Sequence, residues 1–129
     1  MAERKYLRVT DISFKVAWRP HGSELPYEEA AGTDIGEGGL LLVVTDRPLT
    51  LRQVLELRID IPPTPVDKSP IPIHALAEPV WVRPTSTEPP RYDQGLSFTR
   101  IAQADFSRLE NYILLTKWMR GEQPELTES

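Results

Sequence analysis

Apolar and polar residues alternate along much of the first hundred positions of the chain. In residues 11–18 (DISFKVAW) apolar side chains recur at every second position, and residues 54–61 (VLELRIDI) repeat this period most clearly. A period of two predicts strands that have one face in a core and the other in water. Both segments are therefore predicted to be half-buried strands.

Other apolar segments lack this simple alternation. Residues 39–44 (GLLLVV) have no polar position, which predicts a strand covered on both faces. Two more strands are predicted at residues 71–82 (IPIHALAEPVWV) and 92–98 (YDQGLSF). Prolines interrupt the pattern, and proline cannot donate a hydrogen bond to a neighbouring strand. We therefore predict a loop or hairpin connection at residues 19–29, and loops at residues 62–70 and 83–90.

The period changes to that of a helix near residue 103. From there to Arg120 one broad face is apolar at 3.6 residues per turn; its members are Phe106, Leu109, Tyr112, Ile113, Thr116 and Met119. Asp105 suits the start of this helix, either as N-cap or as a first-turn acid, and Gly121 suits the position just after its end. Five to seven short strands followed by one helix predict a mainly β fold, a small antiparallel barrel that the helix plugs or flanks.

Composition is that of an ordinary soluble domain. The chain has 129 residues, of which 40% are hydrophobic and 26% charged, so we expect one domain with a sizeable core. No apolar run approaches the roughly 18 residues that a membrane span needs. The start, MAERKYLRV, lacks the apolar stretch of a signal peptide, and there is no cysteine. We therefore predict a cytoplasmic location.

Charge restricts the kinds of ligand. A net charge of −4 argues against a protein that coats polymeric nucleic acid, because such binding needs many Lys and Arg contacts to phosphate. It leaves open a small phosphorylated ligand, for which a few local cations suffice. Three basic residues, Arg4, Lys5 and Arg8, are clustered near the start of the chain.

The sequence offers no convincing catalytic motif. The two histidines, His21 and His74, lack the spacing of a metal site, and no serine has the glycine elbow of a hydrolase nucleophile. GEGG at residues 36–39 precedes a predicted strand rather than a helix, so it does not predict a dinucleotide loop. We predict a protein that is not an enzyme and has neither a catalytic metal nor a cofactor.

Two short elements could bind a ligand. In RKYLR, Arg4 and Arg8 carry planar guanidinium groups that match guanine or phosphate oxygens two at a time. The alternative is a solvated basic terminus. In TDIGEGG, the Asp34 carboxylate could accept from the N–H groups of guanine, and Gly39 could permit close approach of a ligand to the backbone. The alternative here is a hairpin turn with left-handed residues.

Together the two elements resemble the PilZ domain family. The family pattern is R-x-x-x-R, a gap of some twenty to thirty residues, and [D/N]-x-S-x-x-G; here the gap is about 25 residues. AEPVWVRP, YDQGLSF and the final helix extend the similarity over roughly residues 3–118. The resemblance implies a six-stranded antiparallel β-barrel with a C-terminal α-helix that binds cyclic di-GMP. The implied ligand-binding residues are Arg4, Arg8, Asp34, Gly36 and Gly39, of which Gly36 replaces the family's serine.

The resemblance also implies an organisation and a role. We expect a PilZ-like domain at residues 1–120, with a flexible ligand-binding segment at 1–9 and a disordered tail at 121–129. The predicted role is a single-domain cyclic di-GMP receptor and adaptor in bacterial signalling; the alternative is an interaction module that does not bind nucleotide. The missing hydroxyl at Gly36 is expected to weaken affinity, and Gly36→Ser to restore it.

A partner protein is expected as well. Leu114 and Trp118 project from the side of the helix opposite its predicted core face, which makes them candidates for contact with an unidentified effector or a second subunit. The alternative is that the barrel or the tail covers them. The chain is expected to be a monomer or a homodimer.

Overall fold

The computed structural model describes residues 7–122. It contains seven strands and one helix in this part of the chain: β1 (Arg8–Val9), β2 (Phe14–Pro20), β3 (Glu28–Gly36), β4 (Gly39–Thr45), β5 (Leu55–Asp60), β6 (Ile73–Thr87), β7 (Pro90–Ile101) and α1 (Gln103–Met119).

Six of these strands form a closed antiparallel barrel. The strands pair in the order β3, β2, β5, β6, β7, β4, and pairing of β4 with β3 closes the ring. The seventh strand, β1, adds to β3 beside β2. The predicted six-stranded antiparallel barrel with a C-terminal helix is confirmed.

The core lies inside this barrel and beneath α1. Alternate residues of the strands point inward, and Val16, Leu42 and Ile59 are completely buried. From the helix, Leu109 and Ile113 are equally buried and join the same cluster. Burial of a Leu or Ile side chain contributes about 1.5–3 kcal/mol. This shared core fixes the helix against β1, β3 and β6.

The two ends of the helix agree with most of the prediction from sequence. Asp105 lies in the first turn, although the N-cap is Ala102. Gly121 has a φ of +76° and follows the helix as predicted. Of the predicted core face, Phe106 is only half-buried, and Met119 is 44% exposed because it lies in the last turn, beyond the barrel strands. The other members of that face are buried.

Two segments predicted as loops or turns are strands. Residues 28–36, assigned from the sequence to a connection and a turn, form β3, which pairs with three other strands. Its alternation is hidden because Gly32 faces the core, where the ring of Phe14 occupies the space of the missing side chain. Residues 83–87 continue β6 into a long hairpin with β7, although both faces are exposed to solvent. The strand predicted at residues 39–44 is covered fully on one face and only partly on the other.

A single carboxylate anchors the connection between β2 and β3. Glu56 on β5 accepts hydrogen bonds from Arg19 Nε at 2.8 Å and from the Gly22 backbone N–H at 3.1 Å. His21 Nδ1 lies 3.1 Å from Glu56 Oε2, the oxygen that also accepts from Gly22, whereas Arg19 binds Oε1. These contacts, that of Arg19 above all, lower the pKa of Glu56 from 4.5 to about 2. The ionised carboxylate therefore stabilises the fold.

We expect Glu56→Gln to lower the free energy of unfolding at neutral pH. Because the folded-state pKa is depressed, the contribution of Glu56 is fully present above pH 4.5 and is lost as the pH falls towards about 2. Urea denaturation of both proteins at about pH 7 and about pH 3 measures this, and the difference between them should shrink at the lower pH. Glu29→Gln, at an exposed pair with Lys15, is the control and should change little. Equal stability of Glu56→Gln and wild type at pH 7 would contradict the assignment.

Candidate functional site

Four of the five predicted site residues meet at one cavity. A cavity of about 280 Å³ lies between β1, the β3–β4 turn, β6 and β7, and Arg8, Asp34, Gly36 and Gly39 all contribute to its lining. The fifth, Arg4, lies outside the described residues. The structure therefore brings together side chains from the two motifs that are far apart in the sequence.

Antiparallel pairing of β1 with β3 places Arg8 at this cavity. Arg8 lies opposite Gly36, and Val9 lies opposite Ile35. Val9 and Ile35 are both 1% exposed, so they anchor the pair in the core. Because successive residues of a strand point to opposite faces, Arg8 points away from the core and is exposed. Part of the N-terminal segment predicted to be flexible, residues 7–9, is thus built into the fold.

Gly36 is required by the neighbouring strand. A Cβ atom on Gly36 would lie 2.7 Å from Arg8 Cβ and 2.8 Å from the carbonyl oxygen of Leu7, which is too close for either contact. Replacement of Gly36 by serine would therefore push β1, and Arg8 with it, away from β3. This clash argues against the expectation from sequence that Gly36→Ser restores affinity, and that expectation stays a prediction.

Gly39 is likewise required by a neighbouring backbone. A Cβ on Gly39 would overlap the carbonyl oxygen of Leu96 and lie 3.1 Å from Ser97 Cα, where β4 pairs with β7. Neither Gly36 nor Gly39 has a left-handed φ, so the alternative of a turn needing such residues is wrong for both. Close approach of a ligand to Gly39 stays a prediction, since this glycine also lines the cavity.

An exposed tryptophan forms a further wall of the cavity. Trp81 on β6 pairs with Gly95 on β7, and its indole occupies the space that a side chain at Gly95 would need. Trp81 is 41% exposed. Sequence reasoning placed Trp81 in a family-like strand but gave it no role at the site. The sequence did contain a signal for this role, because Trp81 is a large aromatic residue near the end of a predicted strand, just before a proline-rich connection.

The cavity combines three kinds of recognition chemistry. Arg8 supplies a cation that suits phosphate or the O6 and N7 atoms of guanine. Asp34 supplies a carboxylate that can accept hydrogen bonds from the opposite edge of a purine. Trp81 offers an aromatic face on which a base can stack. Such a set of groups suits an anionic purine nucleotide.

A pair of carboxyl groups, Glu37 and Glu110, lies beside the strand that carries Arg8. Glu37, in the β3–β4 turn, accepts a hydrogen bond from the Leu7 N–H at 3.3 Å, and its own N–H donates to the Leu7 carbonyl at 3.1 Å. The Glu110 carboxyl group on α1 faces that of Glu37, and this neighbouring carboxylate raises the pKa of Glu110. The β3–β4 turn is thus linked to both β1 and the helix.

The predicted partner surface is only partly exposed. Trp118 is 73% exposed, whereas Leu114 is half-buried. Of the alternative that the barrel or the tail covers both residues, cover by the barrel is therefore wrong for Trp118, and residues 123–129 of the tail lie outside the described residues. Contact with a partner remains a prediction.

Comparison with known proteins identifies the family. The sequence matches the PilZ domain over residues 2–115. The chain belongs to the PilZ domain family. PilZ domains are binding modules. In the described part of this chain, no helix is both long and apolar enough to cross a membrane. A search of curated proteins returned no match.

Solved PilZ structures share the fold of this chain. The inhibitor of motility MotI/DgrA of Bacillus subtilis superposes with a TM-score of 0.73 at 20% identity, over 93% of this chain and 53% of that one. The PilZ domain of Escherichia coli YcgR with c-di-GMP gives 0.65 at 10% identity, over 93% and 98%. The K. pneumonia MrkH–c-di-GMP complex gives 0.66 at 15% identity, over 95% and 56%.

These similarities concern the domain. The chain spans about half the length of the MotI/DgrA and MrkH chains, and nearly all of the YcgR PilZ domain. At these identities the superpositions establish a common fold.

Two glycine substitutions should separate backbone from side-chain contacts. Gly39→Ala is expected to lower the free energy of unfolding by about 1–3 kcal/mol, because the new methyl group meets the Leu96 carbonyl in a paired strand. Gly95→Ala should cost less, since the obstructing group is the exposed indole of Trp81, which can rotate away. Chemical denaturation of both variants measures the difference. Equal stability of Gly39→Ala and wild type would contradict the close contact between the backbones of β4 and β7 at Gly39.

Proposed function

We propose that this PilZ domain is a cyclic di-GMP receptor that acts as an adaptor in bacterial second-messenger signalling. The observation that carries the proposal is the convergence of Arg8, Asp34 and Trp81 on one cavity. Two structures with the same fold, those of YcgR and MrkH, are described as complexes with c-di-GMP. The receptor has no proposed catalytic residue, cofactor or metal.

Each residue of the site has a proposed role. Arg8, together with Arg4, holds the phosphates and the O6 and N7 edge of one guanine. Asp34 accepts from the N1–H and N2–H groups of a guanine, and Trp81 stacks on a base. A cavity of about 280 Å³ is small for a drug-sized ligand, so the nucleotide would lie partly outside it, along the exposed Arg8.

The protein is proposed to signal through contacts with an effector. Trp118, at the end of α1, is the most exposed large aromatic residue among the described positions, and tryptophan is enriched at the centres of protein interfaces. A change in what this surface presents would convert nucleotide binding into a change in partner binding.

The alternative function is an interaction module that does not bind nucleotide. It is favoured by the absence of the motif serine, which Gly36 replaces, together with the exposed Trp118. In such a protein the cavity would be a remnant of the family site. Direct titration with cyclic di-GMP separates the two functions.

We expect wild type to bind cyclic di-GMP in calorimetry, and Arg8→Ala and Asp34→Ala each to weaken binding tenfold or more. A charge-assisted hydrogen bond contributes about 1.5–3 kcal/mol, which corresponds to at least this factor. Arg8 is exposed, so its replacement should leave the melting temperature nearly unchanged. Arg4→Ala is expected to behave in the same way.

The control for this titration is Arg100→Ala, an exposed arginine of β7 that does not line the cavity. It should bind as wild type does. Undiminished binding by Arg8→Ala would reject the assignment of that residue. A wild type that gives no heat and no shift in melting temperature would favour the interaction module.

Trp81 should report the ligand directly. Stacking of a base on its indole is expected to change tryptophan fluorescence, and loss of that contact in Trp81→Leu should weaken binding by about 1–3 kcal/mol. Trp118→Phe, at the exposed end of the helix, is the matched control and should keep the fluorescence change. A fluorescence change and an affinity that both persist in Trp81→Leu would show that the base does not stack there.

A further inference from the structure

The segment that carries Arg8 is held between the barrel and the helix. Residues 7–12, here called the N-terminal strap, comprise β1 and the connection towards β2. On the barrel side, the Ile12 N–H donates to the Thr33 carbonyl at 3.0 Å, and Leu7 and Glu37 exchange the two bonds described above. Since β1 has only two residues, its pairing with β3 gives the strap little strength of its own.

On the helix side, two cations bind the strap's backbone. Lys117 Nζ donates to the carbonyl of Arg8 at 3.2 Å. Arg120 donates to the carbonyl of Thr10 at 2.8 Å, and its second terminal nitrogen lies 3.5 Å from the carbonyl of Asp11. The Lys117 side chain is 17% exposed, so its bond to the strap is partly shielded from water. Hydrogen bonds from charged donors are stronger than neutral ones.

The end of the helix is shaped to direct these cations. Gly121 adopts a left-handed φ of +76°, and the Glu122 N–H returns to the Lys117 carbonyl at 2.8 Å, as in a Schellman motif. This return places the Glu122 carboxylate 2.9 Å from Lys117 Nζ and 3.8 Å from Arg120. Lys117, above all, lowers the pKa of Glu122, which keeps the carboxylate ionised. One acid therefore steadies both cations while they bind the strap.

Last-turn cations ordinarily complement the free carbonyls of their own helix. Here Lys117 and Arg120 reach carbonyls that lie more than a hundred residues away in the sequence. Between those carbonyls lies Val9, buried in the core, and beside it Arg8, exposed at the cavity. The position of the Arg8 backbone thus depends on the end of α1 as well as on β3.

We propose that Lys117 and Arg120 are positioning residues for the ligand site, which hold the N-terminal strap so that Arg8 presents its guanidinium group at the cavity. This inference rests on the proposed function. Because coupling between two sites is reciprocal, a nucleotide that binds Arg8 should in turn stabilise the end of α1 beside Trp118. The strap would then connect the ligand site to the exposed surface of the helix.

The test uses hydrogen exchange and titration on the full chain. Lys117→Met and Arg120→Gln remove one donor set each, and Lys117→Arg retains a cation. Arg108→Gln is the matched control, since Arg108 is also an arginine of α1 that binds backbone carbonyls, but those of Ile71 and Pro72. Gly36→Ser displaces the strap from its other side and gives an independent variant if the helix variants fold poorly.

Without nucleotide, we expect faster amide exchange in residues 7–12 of Lys117→Met, Arg120→Gln and Gly36→Ser, and unchanged exchange there in Arg108→Gln. Affinity for cyclic di-GMP should fall about threefold to tenfold in Lys117→Met and Arg120→Gln, consistent with the loss of one hydrogen bond at a distance from the ligand. Gly36→Ser is judged by exchange alone, because residue 36 itself lines the cavity. Lys117→Arg should recover most of both properties. In wild type, nucleotide should slow exchange in the last turn of α1.

Two results would overturn the proposal. The first concerns a double variant, Lys117→Met with Arg120→Gln. If amide exchange in its residues 7–12 is as slow as in wild type, the helix does not hold the strap. The second is faster exchange with unchanged affinity, which would make both residues structural only. A wild type that binds no nucleotide would overturn the proposed function and ligand positioning with it, whereas the exchange data would still decide whether the helix end holds the strap.

Discussion

Strand β3 holds this PilZ domain together because, among the described strands, it alone pairs with three others. One edge binds β2 and then β1, and the other binds β4, which closes the barrel. The same strand carries Asp34 and Gly36 to the cavity and ends at the turn that contacts β1 and α1. Barrel closure and assembly of the site are therefore consequences of the same pairing.

The glycines around this strand serve contacts between backbones. Gly36 lets β1 approach β3, and Gly39 lets β4 approach β7. Both contacts lie at the border of the cavity, so each glycine makes room for a neighbouring backbone and also lines the site. For the same reason a serine at position 36, as in the family pattern, is incompatible with the strap in its present place.

Charges at the site are organised by elements from both ends of the described chain. Arg8 enters through the strap, whose carbonyls are bound by Lys117 and Arg120 from the end of α1. Glu122 steadies these two cations, and Gly121 provides the conformation that brings Glu122 back to them. A short strand with a weak pairing of its own can be placed accurately when a helix end supplies charged donors to its backbone.

Sequence alone determined the mainly β class, the helix and the two ligand motifs. Period-two patterns and a 3.6-residue period are local properties, since each follows from the direction of successive side chains. The pairing of Arg8 with Asp34 as one site came from the spacing of a family motif, and the structure brings both residues to one cavity. Arg4 lies outside the described residues.

Only the tertiary structure decided which segments without a local pattern become strands, and why the glycines are where they are. Residues 28–36 show no alternation because Gly32 faces the ring of Phe14, so the apolar surface of that position comes from another strand. Trp81 lines the cavity because it rests on Gly95, and Lys117 reaches the N-terminal strap because its partner is the carbonyl of Arg8, 109 residues away. Such contacts depend on which backbones lie side by side, and that is set by closure of the barrel, not by the residues adjacent in sequence.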